Sequence, residues 1–210
     1  MLLSIDTSAG TSVALTRTEG LPGAAETNSA DTMKHAEVVG TMIADVIAQL
    51  GAQASDVTAV VAGVGPGPFT GLRVGLAAAS AFAVGRDIPL LPVVSHDAIA
   101  FDALEEVEGA VIVVTDARRR ELYWSIYDGW SAHGLPNRIA GPALSKPEDV
   151  PTEFDGRSLT RWDAAEVSAG LLGLIAARSL AAGLAFEAFE PLYLRSPDVT
   201  MPGAPKRVNP

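Results

Sequence analysis

The stretch from Val57 to Gly85, VTAVVAGVGPGPFTGLRVGLAAASAFAVG, limits the fold more than any other part of the chain. Val57 to Gly63 is a short apolar run rich in β-branched residues and reads as a buried strand. Gly65-Pro66-Gly67-Pro68 interrupts it, because Gly relaxes the backbone and each Pro fixes φ and removes a donor. From Gly71 the composition turns helical with almost no polar face: after Arg73, only Ser80 breaks a run of Val, Leu, Ala, Gly and Phe. A helix apolar all round has to be covered all round. One side can lie on its own sheet, and the other needs more protein.

The glycines invite comparison with phosphate cradles, and spacing decides against them. A dinucleotide fingerprint needs G-x-G-x-x-G, but Gly63 and Gly65 are followed by Pro68, and Gly65 and Gly67 by Thr70. A P-loop ends in G-K-[ST], whereas Gly71 precedes Leu72-Arg73. What stays open is an anion at the free amides of the helix start, against a plain strand-to-helix connection.

The whole chain has 210 residues, 15 basic against 25 acidic, for a net charge of -10. That balance argues against gripping RNA or DNA unaided, since such affinity comes mainly from neutralising phosphates. With 48% hydrophobic residues and few aromatics, an Ala/Val/Leu core is expected. The absence of cysteine excludes disulfides and thiolate metal sites and fits a reducing compartment. MLLSIDTSAG lacks the basic region of a signal peptide, and no apolar run is long enough for a bilayer. The expected location is the cytoplasm.

In chain order, Leu2 to Ile5 predicts a strand ending in Asp6-Thr7-Ser8-Ala9-Gly10-Thr11, and Ser12 to Thr16 a returning strand. The tip offers a carboxylate and small donors suited to a phosphate or its magnesium ion, or simply an ordinary turn. A third strand falls within Leu21 to Asn28. Asp31 or Thr32 caps a helix over Met33 to Leu50, stopped by Gly51. Ile88 to Val93, broken by two prolines, predicts an edge strand, and Ser95 caps a helix to about Val107. The pattern then restarts. Ala110 to Thr115 is apolar, Asp116 follows, Arg118-Arg119-Arg120 makes a polar tip, and Glu121 to Tyr127 returns. LLSIDTSAGTSVAL and VIVVTDARRRELYWSIY are thus weak copies of one hairpin. Asn137 to Leu144 predicts a third strand, Lys146 to Thr160 a loop, and Asp163 with Glu166 a capping box for a helix ending near Gly183. The tail from Ser196 reads as disordered.

Catalytic signatures are missing. The chain has no G-x-S-x-G elbow and no H-E-x-x-H, and His35, His96 and His133 lack metal spacing. Arg118-Arg119-Arg120 is the one basic cluster, suited to an RNA phosphate or an acidic partner, or else a solvated tip.

Taken together, LLSIDTS, GVGPGPFTGLRVGLAAASAFA and TDARRRELYWSIYDG, with KHAEVVGTMI and PLYLRSP, resemble the bacterial TsaB (YeaZ) family. Pro68 and His96 depart from the family pattern. The resemblance implies an α/β fold of the actin, Hsp70 and sugar-kinase (ASKHA) type. Its two lobes would each open on a β-hairpin, the second reduced: 1–108, 109–195, and a tail at 196–210. It also implies a non-catalytic subunit, with no catalytic or metal residues of its own. That subunit would serve the formation of N6-threonylcarbamoyladenosine in tRNAs reading codons that start with A.

Further implied are a TsaD-like catalytic paralogue and a TsaE-like ATPase as partners, tRNA reached only through the complex, ATP or ADP at most in that complex, no membrane contact, and pairing with itself when alone. Family members pair through two helices of the first lobe. This carries candidate interface positions onto His35, Val38, Val39, Met42, Leu72, Val74, Gly75, Ala78 and Phe82. Asp6-Thr7-Ser8 becomes the remnant of a phosphate site. The competing expectations are a metallopeptidase-like protein of the glycoprotease M22 family and a small ASKHA kinase.

Overall fold

A computed structural model describes residues 1–17 and 24–195. Its chain starts with β1 (Leu2–Asp6) and β2 (Thr11–Thr16), an antiparallel hairpin in which Asp6 lies opposite Ser12, and β3 (Ala24–Ser29) extends it antiparallel. The third-strand expectation began at Leu21, and positions 21–23 lie outside the described residues, as do 196–210. Helix α1 (His35–Gln49) leads through a short 3-10 turn to β4 (Ala59–Gly63), helix α2 (Phe69–Arg86) and β5 (Leu90–Val93). β4 joins β1 in parallel and β5 joins β4 in parallel, giving the order β3-β2-β1-β4-β5 with β5 at the edge. The edge tolerates Pro92 because one side of that strand needs no donor.

Helix α3 (Ser95–Glu106) passes to a second sheet. There β6 (Val111–Asp116), β7 (Leu122–Trp130) and β8 (Pro136–Ser145) form an antiparallel meander. A two-residue hairpin, β9 (Glu153–Phe154) and β10 (Arg157–Ser158), precedes β11 (Thr160–Asp163), which pairs parallel to β6. The second sheet therefore runs β8-β7-β6-β11. Hairpin, third strand, then a parallel strand on the far side of the first: both sheets follow that plan, which is the duplicated ASKHA arrangement. Among the described residues the second sheet lacks the helix before its parallel strand and the fifth strand after it. Helix α4 (Ala169–Ala181) is the last regular element among the described residues.

Alternation in β1 explains the layering. Leu3 and Ile5 point with Val13, Leu15, Val60 and Ala62 toward α1 and α2. Leu2 points the other way and joins Val61, Val111, Val113 and Tyr127 in a core shared by both sheets, filled by α3 and α4. Although α4 follows the second sheet in the chain, it packs on β1, β2 and α3. Among the described residues no helix is long and apolar enough to cross a membrane.

Three helix starts differ from expectation. Neither Asp31 nor Thr32 caps α1, which opens after Lys34 without a side-chain cap; Asp31 accepts the Met33 amide at 2.9 Å, forming its own turn. Ser95 does not cap α3, because its hydroxyl is directed to Asp6. The Asp163 and Glu166 capping box is not formed: Asp163 ends β11, and the cap of α4 is Ser168, which accepts the Leu171 amide at 3.1 Å. β9, β10 and β11 lie in and just beyond the segment read as loop.

Candidate functional site

The first hairpin tip sits against the loop 64–68 and the start of α2, and the chain makes room for it with glycine. A Cβ on Gly67 would come within 2.8 Å of the Ser8 Cα, one on Gly71 within 2.6 Å of the Thr7 carbonyl oxygen, and one on Gly75 within 2.2 Å of the Thr7 hydroxyl. Their four-residue spacing places Gly71 and Gly75 on one face of the helix. That spacing was the readable signal, and it clears space for the chain's own hairpin in place of a phosphate.

The contacts so created are dense. The Thr7 hydroxyl donates to the Gly71 carbonyl at 2.8 Å and accepts the Gly75 amide at 3.1 Å. Asp6 Oδ1 accepts the amide and the hydroxyl of Ser8 at 2.8 and 2.6 Å, and Oδ2 accepts the Ser95 hydroxyl at 2.5 Å. The same Ser95 oxygen accepts the Gly65 amide at 3.0 Å, which ties hairpin, loop and α3 together. Asp6 is 1% exposed, and burial holds its pKa above the ordinary carboxylate value despite the Ser8 and Ser95 hydrogen bonds.

Above this floor lies a cleft of about 620 Å³ between the two hairpin tips, walled by Ser8, Thr32, Thr70, Asp116, Arg118 and Glu166. Among the described residues its charges are two carboxylates and one guanidinium, and that guanidinium is 3.3 Å from Asp116. His35 lines the cleft from below, its Nδ1 2.7 Å from the Thr11 hydroxyl, and burial lowers its pKa so that the ring is neutral at pH 7. His96, in the shared core, bridges the Ser125 and Thr115 hydroxyls at 2.8 and 2.9 Å; burial lowers its pKa to about 3. Among the described residues no three His, Asp or Glu side chains are placed to hold a metal ion together.

This geometry bears on two expectations. The side-chain polar atoms of Asp6, Thr7 and Ser8, the expected remnant of a phosphate site, are each hydrogen-bonded within the chain. Five of the nine candidate interface positions face inward: His35, Val39, Met42, Leu72 and Gly75 are buried under α1 and α2. A two-faced apolar helix uses its better-packed side for its own sheet, and the sequence does not mark which side that is. Val38, Val74, Ala78 and Phe82 remain half-buried at the surface, beside the exposed Ala77, Ala81 and Val84. Val84 is 78% exposed, so the outer face of α2 is apolar and not covered by the described residues.

Arg118, Arg119 and Arg120 form the second tip, all exposed and all at positive φ (63°, 54° and 63°). Arg118 donates to the Thr32 hydroxyl at 3.0 Å. Arg195 braces the turn from the other side, donating to the Ala117 and Arg118 carbonyls at 3.2 and 3.4 Å and pairing with Glu121. Beside it Arg73 lies 3.7 Å from the centre of the Phe69 ring and donates to the Tyr193 hydroxyl at 3.1 Å. The PLYLR segment, Pro191 to Arg195, completes this end of the molecule.

Comparison with known proteins agrees with this architecture. The family model described as TsaD, tRNA N6-adenosine threonylcarbamoyltransferase, matches residues 29–158. A protein of Mycobacterium tuberculosis is 38% identical over 150 residues, 71% of this chain and 66% of that protein. The tRNA threonylcarbamoyladenosine biosynthesis protein TsaB of Escherichia coli is 32% identical over 119 residues, 56% of this chain and 51% of TsaB. The chain thus spans between half and two thirds of these relatives' length. The structure of YeaZ from Pseudomonas aeruginosa superposes with a TM-score of 0.76 at 28% identity, covering 92% of this chain and 99% of YeaZ. The chain belongs to the family described as TsaD, tRNA N6-adenosine threonylcarbamoyltransferase, and TsaB/YeaZ proteins are among its homologues.

Proposed function

We propose that this chain is a non-catalytic subunit in the formation of N6-threonylcarbamoyladenosine in tRNA, acting by binding a TsaD-like catalytic paralogue. The likeness to TsaB supports the pathway. The observation that carries the non-catalytic role is the sealed hairpin: Asp6 is buried and triply hydrogen-bonded, and Thr7 and Ser8 donate to internal acceptors. A site that transfers a group needs polar atoms free to meet substrate, and these are committed to holding the fold. The same commitment disfavours the peptidase and kinase readings, which would need one of these hydroxyls or the carboxylate.

The outer face of α2 supports the partner role. Ala77, Ala81 and Val84, flanked by Val74, Ala78 and Phe82, offer small and apolar side chains that allow close approach of another helix. In this proposal the face meets the catalytic paralogue, a TsaE-like ATPase completes the assembly, and the substrates are tRNAs reading codons that start with A. A second copy of this chain occupies the face when the paralogue is absent. The deciding experiment is threonylcarbamoyl transfer to tRNA by the purified paralogue, supplied with the adenylate-forming enzyme and the ATPase, with and without this chain. Transfer that requires the chain, while the chain alone is inactive, supports the reading; transfer indifferent to it removes the reading.

A further inference from the structure

β8 ends the second sheet, and its outer side is open. Among the described residues no backbone group of β8 is hydrogen-bonded outside its ladder with β7. Residues 187–192 pass beside this edge without pairing to it. Two of their amides turn away: Glu190 donates to the Ala188 carbonyl at 2.7 Å, and Leu192 to the Val64 carbonyl at 2.9 Å. A segment folded back on itself over two residues cannot present the alternating donors and acceptors of a neighbouring strand.

Between β8 and this segment lies a groove of about 400 Å³, large enough for several side chains. The buried Val64 and Val94 lie at its floor. Residues 138–142 form one wall, and Ala188, Glu190 and Leu192 the other. Arg138 and Glu187, 2.7 Å apart, tie the two walls together at one point. An open strand edge invites pairing and is usually covered or charged. Here the edge is flanked, and still unpaired. Pro142 has no N–H, so the donors of this wall lie before it.

The groove also carries an excess of one charge. Among the described residues its ionisable groups are Arg138, Glu187 and Glu190. Arg138 is already matched twice, by Glu187 and by the Asp97 carboxylate 3.7 Å away. The excess is negative, set over an apolar floor.

We infer that the groove takes an extended segment of a partner protein, which adds a strand to β8 and carries lysine or arginine between apolar residues. Main-chain bonds to β8 hold the segment, and its side chains select it. One face of the strand meets Val64, Val94 and Leu192, while the basic side chains meet Glu190. A small apolar molecule would cover the floor and leave the backbone row of β8 unmet. A second copy of this chain would bring a whole sheet edge, flanked by its own residues 187–192. An acidic segment would meet the excess carboxylates. None of this uses the outer face of α2 or the tRNA pathway.

The test uses the full chain and short labelled peptides, followed by fluorescence anisotropy and amide hydrogen exchange. The first peptide alternates valine and lysine, and the second alternates valine and glutamate. Two more repeat the first, N-methylated either at every valine or at every lysine. The valine–lysine peptide should bind and slow exchange at residues 137–141. The glutamate peptide should bind about fivefold more weakly or worse, the weight of one partly exposed ion pair. One N-methylated form should lose about tenfold, the worth of two backbone hydrogen bonds, and the other should bind like its parent, because alternate amides of a strand face its neighbour. A188W, which fills the groove from an exposed position, should abolish binding, and E190Q should weaken it, with thermal unfolding of both variants unchanged. No binding, protection elsewhere in the chain, or equal affinity for both charges would overturn the inference. So would N-methylated forms that both bind or both fail, since strand pairing distinguishes them. Concentration-dependent dimers in sedimentation that A188W removes would overturn it in favour of a second copy.

Discussion

Asp6 and Asp116 end the first strands of the two sheets, and each accepts the backbone amide two residues on at 2.8 Å. The local turn is the same; the surroundings are opposite. Asp6 is sealed beneath Ser8 and Ser95, whereas Asp116 stands exposed beside Arg118. The duplication has diverged by burial, with one copy built into the interior and the other left at the surface to hold a charged tip.

Removing the Ser95 hydroxyl tests this difference. S95A leaves Asp6 Oδ2 without its donor and the Gly65 amide without its acceptor, both buried. An orphaned buried polar group costs about 1–3 kcal/mol, so S95A should lower the free energy of unfolding in urea by at least that much. D116A, at the exposed copy, should cost less than about 1 kcal/mol. Equal losses at the two sites would contradict the assignment of Asp6 as the buried keystone of the hairpin.

Asp97 predicts a pH dependence. It accepts the Tyr127 hydroxyl at 2.7 Å and lies 3.7 Å from Arg138, which also pairs with Glu187. Burial outweighs the attraction of Arg138 and raises its pKa from 3.8 to about 6. A carboxyl whose pKa is higher folded than unfolded binds its proton more tightly in the fold. Its contribution is therefore fully present below about pH 4 and is lost as the pH rises through about 6. D97N keeps an acceptor for Tyr127 and removes the titration. The stability of the parent relative to D97N should fall between pH 4 and 7, followed by thermal unfolding at each pH. A constant difference would show that Asp97 keeps an ordinary pKa.

The sequence carried the first sheet well because its strands are continuous apolar runs punctuated by Asp, Gly and Pro, as at Leu2 to Asp6 and Ala59 to Gly63. It hid β11, whose four residues Thr160-Arg161-Trp162-Asp163 contain a single apolar side chain, since an edge strand needs only backbone pairing to β6. Ser95 looked like a cap because capping and tertiary hydrogen bonds use the same hydroxyl, and only the fold brings Asp6 to it across 89 positions. The face of α2 was unreadable for a related reason. Leu72 and Val74 are chemically alike, and only the sheet beneath distinguishes them. The arginine triplet was legible as a tip, but Phe69 and Tyr193, which line a cleft beside it, meet only after folding.

The apolar face of α2 gives a direct mutational prediction. Ala81 is exposed on the outer side of α2, so A81R leaves the interior intact while placing an unpartnered charge in any helix-to-helix contact. Such a charge costs about 3–5 kcal/mol, and a micromolar complex is held by about 8 kcal/mol. Co-elution with the catalytic paralogue should disappear at micromolar concentrations, with thermal unfolding of the isolated chain unchanged. A variant that still co-elutes would place the contact elsewhere. Leu72 is unsuited to this test because it is fully buried, and its loss would damage the fold first.

Ser4 sits on β1 with its hydroxyl buried and without a hydrogen-bond partner among the described residues. It faces α4 at Gly173, where an added Cβ would lie 2.8 Å from Ser4 Oγ and 2.7 Å from Thr16 Oγ1. Two substitutions separate the polar term from the steric one. S4A removes an unsatisfied hydroxyl and should stabilise the protein by about 1 kcal/mol. G173A forces the new methyl against two oxygens and should destabilise it by about 1–3 kcal/mol. Because S4A deletes one of those oxygens, the double variant should be more stable than the sum of the single effects, with a coupling of about 0.5 kcal/mol or more. Additive effects in urea denaturation would mean that α4 moves away from β1 when residue 173 grows, and that Gly173 does not set the distance between them.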